Sequence, residues 1–267
     1  MDEIDSGFRW IGSDSNFVDR LDVQDINGLV LGRFGGNSSA GQSKNEDACL
    51  LWKDRTEDWE FVMLLDAHNT AESAETVLEQ VEAHEQEMKR LLGQAISGDF
   101  FRNLEHMILE MFQQESFLEA CRNVQGETAC LIVARKGKYV WWFSIGDCLM
   151  YLFHPELKAF GQYLLNQRQF YEWIGEMNTF DQPAPCYSTG TRELRRGVNR
   201  LFLTTDGLVE CPGGIYEEPA SIYETEGGKA GVYGMLKTIQ EHGVRDSTTI
   251  ISWEIIVKEA AAMPSNL

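Results

Sequence analysis

Short apolar runs, each ending abruptly in a polar group, dominate the chain, and three stretches of helical spacing lie between them. The run Phe61-Val62-Met63-Leu64-Leu65 stops at Asp66-Ala67-His68. That pattern predicts a buried strand whose C-terminal end presents a carboxylate and an imidazole. Leu29 to Phe34 predicts an earlier strand, broken by the small-residue loop Gly35 to Gly41, which lacks the lysine-serine pattern of a P-loop. Asn45-Glu46-Asp47 leads into a strand from Ala48 to Trp52, and Lys53 to Glu60 is a charged turn. Residues 1–27 are polar and irregular, with Phe8 and Trp10 as an isolated aromatic pair.

After Asn69 the period changes. Leu78, Val81, Met88 and Leu92 mark one face of a helix that Asn69 or Thr70 can cap, with Glu72 and Glu75 in its first turn, where the helix dipole favours negative charge. His84 lies near that face and reads as a packing residue. Gly93 to Gly98 breaks the pattern, and Asp99 caps a second helix with Leu104, Ile108, Met111, Phe112 and Leu118 inward. Cys130–Ala134 and Tyr139–Phe143 flank Arg135-Lys136-Gly137-Lys138 as a β-hairpin, and Cys148–Phe153 is a further strand. Leu201–Thr205 and Ile250–Val257 complete the strands, with a helix over 227–243 between them. Residues 154–198 follow no simple period. They read either as a functional flap or as an ordinary insertion with one amphipathic helix near Gln167 to Ile174.

Composition narrows the class. A chain of 267 residues can bury a full core, and no linker or repeat divides it, so a single domain over 1–267 is expected. Asp and Glu total 42 against 23 Lys and Arg, a net charge of −19, which argues against nucleic acid or an anionic membrane as the partner. No apolar run approaches the ~20 residues a membrane span needs. The acidic start Met1-Asp2-Glu3 does not resemble a secretory signal. Six cysteines without paired spacing suit a reduced compartment, so a cytoplasmic location is expected.

The acids change the picture most. Glu46, Asp47, Asp66, Asp147, Asp206 and Asp246 all stand at strand ends or starts. Carboxylates gathered on one rim repel unless a cation sits among them, and hard divalent ions such as Mg²⁺ or Mn²⁺ take oxygen ligands. Two such ions ~3.5–4 Å apart could activate a water against a phosphoryl group, with His68 as a proton donor. On the residues alone, aspartates that merely make turns remain an equal alternative.

In order, Asn45-Glu46-Asp47, Asp66-Ala67-His68, Gly126-Glu127-Thr128-Ala129, Ile145-Gly146-Asp147, Thr205-Asp206-Gly207-Leu208 and Asp246-Ser247-Thr248-Thr249 resemble the NED, DGHG, GSTA, GD, SDGL and DN-x-T motifs of the metal-dependent protein phosphatases of type 2C. The resemblance is to a divergent, bacterial-like member and runs from about residue 30 to 256, with the domain core at about 28–256. It implies an α+β, four-layer α-β-β-α sandwich with two central, mostly antiparallel sheets. It implies hydrolysis of phosphoserine or phosphothreonine in a phosphoprotein by a water activated between two Mg²⁺ or Mn²⁺ ions. By the same resemblance, Asp66 bridges the ions and the Ala67 carbonyl binds one. Glu46, Asp206 and Asp246 complete the set, Asp147 with Asp206 stands at a third-ion position, and His68 is the general acid. The 154–198 segment falls where the family carries its flap.

Three departures stand out. Ala67 and Asn69 replace glycines, Glu127 replaces a small serine, and Gln42 stands where the family often has a phosphate-holding arginine. A neutral amide makes no charge-assisted fork to phosphate. Lys44, Arg33 or a flap arginine, Arg168 or Arg192, are the candidates to replace it. The gap at Gln42 leaves two other outcomes open: a silent binding module on the phosphatase fold, or a phosphatase of small phosphomonoesters.

Overall fold

The computed structural model of the chain describes residues 7–263. Its centre is β5 (Trp59–His68), in which nine of ten residues are buried. A strand that is apolar without alternation must be covered on both faces, and β5 is. Odd positions Phe61, Met63 and Leu65 face one apolar layer, and even positions Val62 and Leu64 face another.

The first sheet runs in the order β1-β4-β5-β6-β7-β10, from β1 (Phe8–Ile11), β4 (Ala48–Asp54), β6 (Glu127–Lys136), β7 (Tyr139–Ile145) and β10 (Ser188–Glu193), with the two-residue β9 (Ile174–Gly175) paired to the start of β6. The second sheet runs β2-β3-β12-β11-β8, from β2 (Asp22–Ile26), β3 (Leu29–Phe34), β8 (Leu149–Phe153), β11 (Gly197–Thr204) and β12 (Thr248–Val257). Every strand pairing within the two sheets is antiparallel.

Three apolar seams hold four layers together. On the outside of the first sheet lie α1 (Glu72–Ala83), α2 (Glu85–Leu92), α3 (Phe100–Phe112) and α4 (Glu115–Arg122), with Val77, Leu78, Leu104 and Ile108 packed on Met63, Ile132 and Trp141. Between the sheets, Leu64, Leu131 and Val133 meet Leu31, Met150, Leu203 and Ile251. Outside the second sheet, α7 (Gly228–Glu241) sets Val232, Leu236 and Ile239 on Phe34, Phe202 and Ile250. The short helices α5 (Pro155–Lys158) and α6 (Pro219–Tyr223) fill the edges of that sheet. The architecture is the α+β, four-layer sandwich with two antiparallel sheets.

Several local expectations change. The helix expected over 70–92 is two, because His84 leaves helical geometry at φ −105°, ψ 10° and hydrogen-bonds Gln80 O through Nδ1. The helix after Asp99 is likewise two, parted at Gln113-Gln114. Asp99 accepts no capping bond, and the cap of the first helix falls on Ala71, past Asn69 and Thr70, although Thr70 Oγ1 accepts from Glu72 N at 3.2 Å. Residues 8–26 are not irregular throughout: they supply edge strands β1 and β2. The 154–198 segment holds β10 and a short 3-10 turn at Thr179–Asp181, with no helix at 167–174. Among the described residues no helix is long and apolar enough to cross a membrane.

Candidate metal centre

The C-terminal end of β5 meets the ends of strands from both sheets. Asp66 lies opposite Ala129, Ala67 opposite Thr128 and His68 opposite Glu127. Asp147 follows β7, Asp206 opens a 3-10 turn directly after β11, and Asp246 stands two residues before β12. Two glycines permit these approaches. Gly146 has φ +84°, and a Cβ there would lie 2.5 Å from Ala129 Cβ; one on Gly207 would lie 2.2 Å from Ser247 O.

Carboxylate oxygens of Asp66, Asp147 and Asp206 all lie within 4.8 Å of one another. The three residues are 4 %, 5 % and 7 % exposed. Burial, followed by the charges of Asp47, Asp206, Asp246 and Asp147, pushes the Asp66 carboxyl well above the usual range. Burial and then Asp147, Asp246 and Glu210 raise Asp206 to about 8, against a pull downward from Arg168. Asp147 and Asp246 are also raised, chiefly by burial, and His68 lowers both. Asp147 Oδ1 and Asp206 Oδ1 are buried and receive no hydrogen bond. Buried acceptors without donors, on a set made only of carboxylate oxygens, fit a hard divalent cation such as Mg²⁺ or Mn²⁺.

Not every expected residue joins this group. Asp246 stands outside the 4.8 Å set, although its charge acts on Asp66 and Asp206. Glu46 is also outside it, paired with Lys44 Nζ at 2.5 Å. Lys44 donates as well to Asn69 O at 2.5 Å, and its side chain is 52 % exposed. Arg33 is engaged elsewhere. It is buried, bonds Asp22 Oδ2 through Nε at 3.0 Å and Nη2 at 2.5 Å, and stacks on Phe8, Trp10 and Phe17. Its guanidinium is tied to β2 and is not free to hold phosphate. Arg192 bonds Gln162 Oε1, and Gln42 is half-buried beside Gly36.

The two replaced glycines are accommodated. Ala67 sits in the extended strand β5 and needs no left-handed backbone. Asn69 does take φ +75°, and asparagine is among the few residues that tolerate it. Glu127 lies across from His68 with Gly175 on its other side. His68 itself packs edge-on to Trp173 at 5.1 Å, and its buried Nδ1 has no partner.

Asp47 has no ligand role by the motif resemblance, yet the structure gives it a task of its own. It is fully buried and accepts from Ser247 Oγ at 2.8 Å, Thr249 Oγ1 at 2.6 Å and Thr205 Oγ1 at 3.3 Å. Asn45 Oδ1 holds the Asp47 amide at 3.0 Å. Asp47 thus ties the start of β4, in the first sheet, to the end of β11 and the start of β12 in the second. Burial raises its carboxyl to about 7, although the three hydroxyls pull it back. The available signal was a hydroxyl residue beside each aspartate: Thr205 by Asp206, and Ser247 by Asp246.

No family model matches the sequence, and no curated protein matches it either. Solved structures do. A bacterial serine phosphatase aligns with TM-score 0.61 at 14 % identity, covering 91 % of this chain and 100 % of that one. RsbX in complex with magnesium aligns with TM-score 0.58 at 14 % identity, over 88 % of this chain and 100 % of that one. The chain shares the fold of these phosphatases. The serine/threonine phosphatase Stp1 from Staphylococcus aureus aligns with TM-score 0.59 at 12 % identity, over 96 % of this chain and 97 % of its own. At such identities the phosphatase likeness is one of fold, and the chemistry has to be argued from the acids.

Proposed function

We propose that this protein is a metal-dependent phosphomonoester hydrolase acting on phosphoserine or phosphothreonine in a protein. The observation that carries the proposal is the buried group Asp66, Asp147 and Asp206, whose oxygens lie within 4.8 Å of one another at the mouth of a phosphatase-like sandwich. A structural role alone does not explain three buried acids with raised affinity for protons, because their mutual repulsion opposes folding. Asp66, Asp206, Asp246 and Glu46, with the Ala67 carbonyl, would hold two Mg²⁺ or Mn²⁺ ions. Such ions supply positive charge that acidifies water and draws phosphoryl oxygen.

The chain's own groups supply the rest. His68, which packs on Trp173 and lowers Asp147, would give a proton to the departing serine or threonine oxygen. Lys44 is the cation we assign to the substrate phosphate, since it is exposed and already reaches Glu46 and Asn69 O at the rim. Arg33 and Gln42 are set aside, the first for its bonds to Asp22 and the second for its lack of charge. A groove of about 500 Å³ begins at Arg168 and Glu210 and continues over Tyr151, Leu164 and Cys211, room for residues flanking a phosphoserine. A larger hollow of about 820 Å³ beside Trp141 and Thr189 contains none of the acids and is not assigned this chemistry.

The test is direct. With Mn²⁺ the purified protein hydrolyses p-nitrophenyl phosphate and a phosphothreonine peptide, chelator abolishes both activities, and Asp66→Asn or Asp206→Asn abolishes them irreversibly. One observation favours a second reading, a module that binds on this fold without hydrolysis: Gln42 offers no charge to phosphate. Wild-type protein that binds metal but turns over neither substrate would decide for that module.

A further inference from the structure

Arg168 is the charged side chain that the irregular segment brings to the acids, and it is held there firmly. Its neighbours lie along β8 as an added strand. Leu152 N donates to Tyr163 O at 2.8 Å, Leu165 N to Met150 O at 2.9 Å, and Gln169 N to Gly146 O at 2.8 Å. Asn166, buried, accepts from Met150 N at 2.8 Å and donates to Ser144 Oγ at 2.9 Å and Cys148 O at 2.7 Å. Both amide hydrogens and the carbonyl oxygen of that side chain are therefore used, on a backbone pinned before and after Arg168.

From this platform a single nitrogen, Nη2, meets three carboxylates: Glu210 Oε1 at 2.6 Å, Asp206 Oδ2 at 3.2 Å and Asp147 Oδ2 at 3.9 Å. Phe170 stacks on the guanidinium at 4.8 Å. Arginine ordinarily grips a carboxylate with two parallel bonds. Here it acts as a point charge placed among several oxygens, which is how a metal ion is used. The other oxygens of the two aspartates, Asp147 Oδ1 and Asp206 Oδ1, remain buried and unpartnered.

We propose that Arg168 is a tethered cation that takes the place of a divalent ion at the Asp147–Asp206–Glu210 edge, so that the protein carries one metal fewer than its carboxylates could hold. The proposal rests on the metal-hydrolase reading above. It also explains the irregular segment, which delivers a permanent charge that no chelator removes. Arg168 does not titrate in the accessible range, so this edge keeps one positive charge among its carboxylates at any metal concentration.

Equilibrium dialysis against Mn²⁺ with metal analysis, on wild type, Arg168→Ala and Arg168→Lys, counts the ions. The expected result is one additional Mn²⁺ per chain in Arg168→Ala and the wild-type number in Arg168→Lys, which keeps the charge. Thermal melting in chelator is the second readout. Arg168→Ala melts below wild type, because three carboxylates lose their cation, and Arg168→Lys falls between them. Equal, non-zero ion counts in wild type and Arg168→Ala, or an Arg168→Ala melting point in chelator at or above wild type, overturns the tethered cation and leaves the hydrolase reading standing. If neither protein binds Mn²⁺, both ideas fall together. Binding by Arg168→Ala alone supports the tethered cation and overturns the metal-hydrolase reading of the wild type.

Discussion

The two ends of β5 each carry a buried acid, and their surroundings are opposite. At the start, Glu60 is gripped by Arg135 through Nε at 2.5 Å and Nη2 at 2.6 Å, with Lys53 Nζ at 3.3 Å. Arg135 also binds Asp58. Each buried charge there has its counter-charge, and no chemistry is left over. At the other end, pairing gives way to repulsion: Asp66 faces Asp47, Asp147, Asp206 and Asp246, with Arg168 the cation at one edge. A buried ion pair that is complete is architecture. A buried cluster that is incomplete implies something that completes it. The same strand thus separates a paired acid from a clustered one by the length of its own apolar run.

Exchanging carboxylate for amide at each end breaks this comparison most sharply. Asp66→Asn lowers Mn²⁺-dependent hydrolysis of a phosphopeptide by on the order of 10³-fold, as expected for loss of a metal-activated nucleophile. In chelator the same change raises stability, since the neutral amide removes a buried charge that the surrounding aspartates repel. Glu60→Gln does the reverse. It leaves turnover within a few-fold and lowers stability by about 3–5 kcal/mol in a urea titration, because Arg135 stays buried without its partner. Equal stability changes of one sign at both ends would erase the distinction.

His68→Ala sharpens the assignment through the leaving group. Loss of a general acid costs about 10²-fold or more for a phosphothreonine peptide, whose alkoxide needs a proton. Nitrophenolate leaves unaided, so p-nitrophenyl phosphate hydrolysis falls much less. Equal losses on both substrates would remove His68 from that role.

Stability against pH distinguishes the ends next. Asp66, Asp206 and Asp47 ionise at higher pH in the folded protein than in the unfolded chain, with Asp206 at about 8 and Asp47 at about 7 against an ordinary 3.8. The folded state therefore holds protons that the unfolded state has released. Metal-free stability is greatest in acid and falls as the pH rises from about 4 through about 8. Between about pH 5.5 and pH 8.5 the loss in chelator is roughly 2 kcal/mol or more, and saturating Mn²⁺ abolishes it. A flat profile in chelator would show that the acids do not repel as their burial implies.

The smallest expected effect is at Lys44. Lys44→Ala raises KM for the phosphopeptide about tenfold, equivalent to about 1.4 kcal/mol, with kcat nearly kept. An unchanged KM would return the phosphate to another group.

The parts of the fold legible in sequence were those whose environment is symmetrical. Strands β5, β6 and β11 read clearly at their centres because both faces are covered there, so Phe61–Leu65, Ala129–Ala134 and Leu201–Leu203 are apolar throughout. Edge strands β1, β2 and β10 were not legible. Many of their residues are partly open to water, and β1 and β10 are strands only because a distant partner offers its edge, Trp10 to Cys49 and Thr189 to Phe143, whereas β2 folds back on β3 through the Asn27-Gly28 turn. Helix breaks at His84 and Gln113 were invisible for a related reason, since the apolar spacing continues across them while the backbone turns to follow the sheet.

The candidate site divides along the same line. Sequence alone determined that Asp66, Asp147 and Asp206 stand near strand ends, because each follows closely on an apolar run. It also determined the acidic balance and the neutral amide at Gln42. Only the tertiary structure decided which charges meet. It tied Arg33 to Asp22, gave Asp47 to three hydroxyls from the opposite sheet, and brought Arg168 across 38 residues of chain to Asp206. A side chain's charge is written in the sequence. Its partner depends on the path of a backbone pinned elsewhere, here by the amide of Asn166, and that path exists only once both sheets have closed.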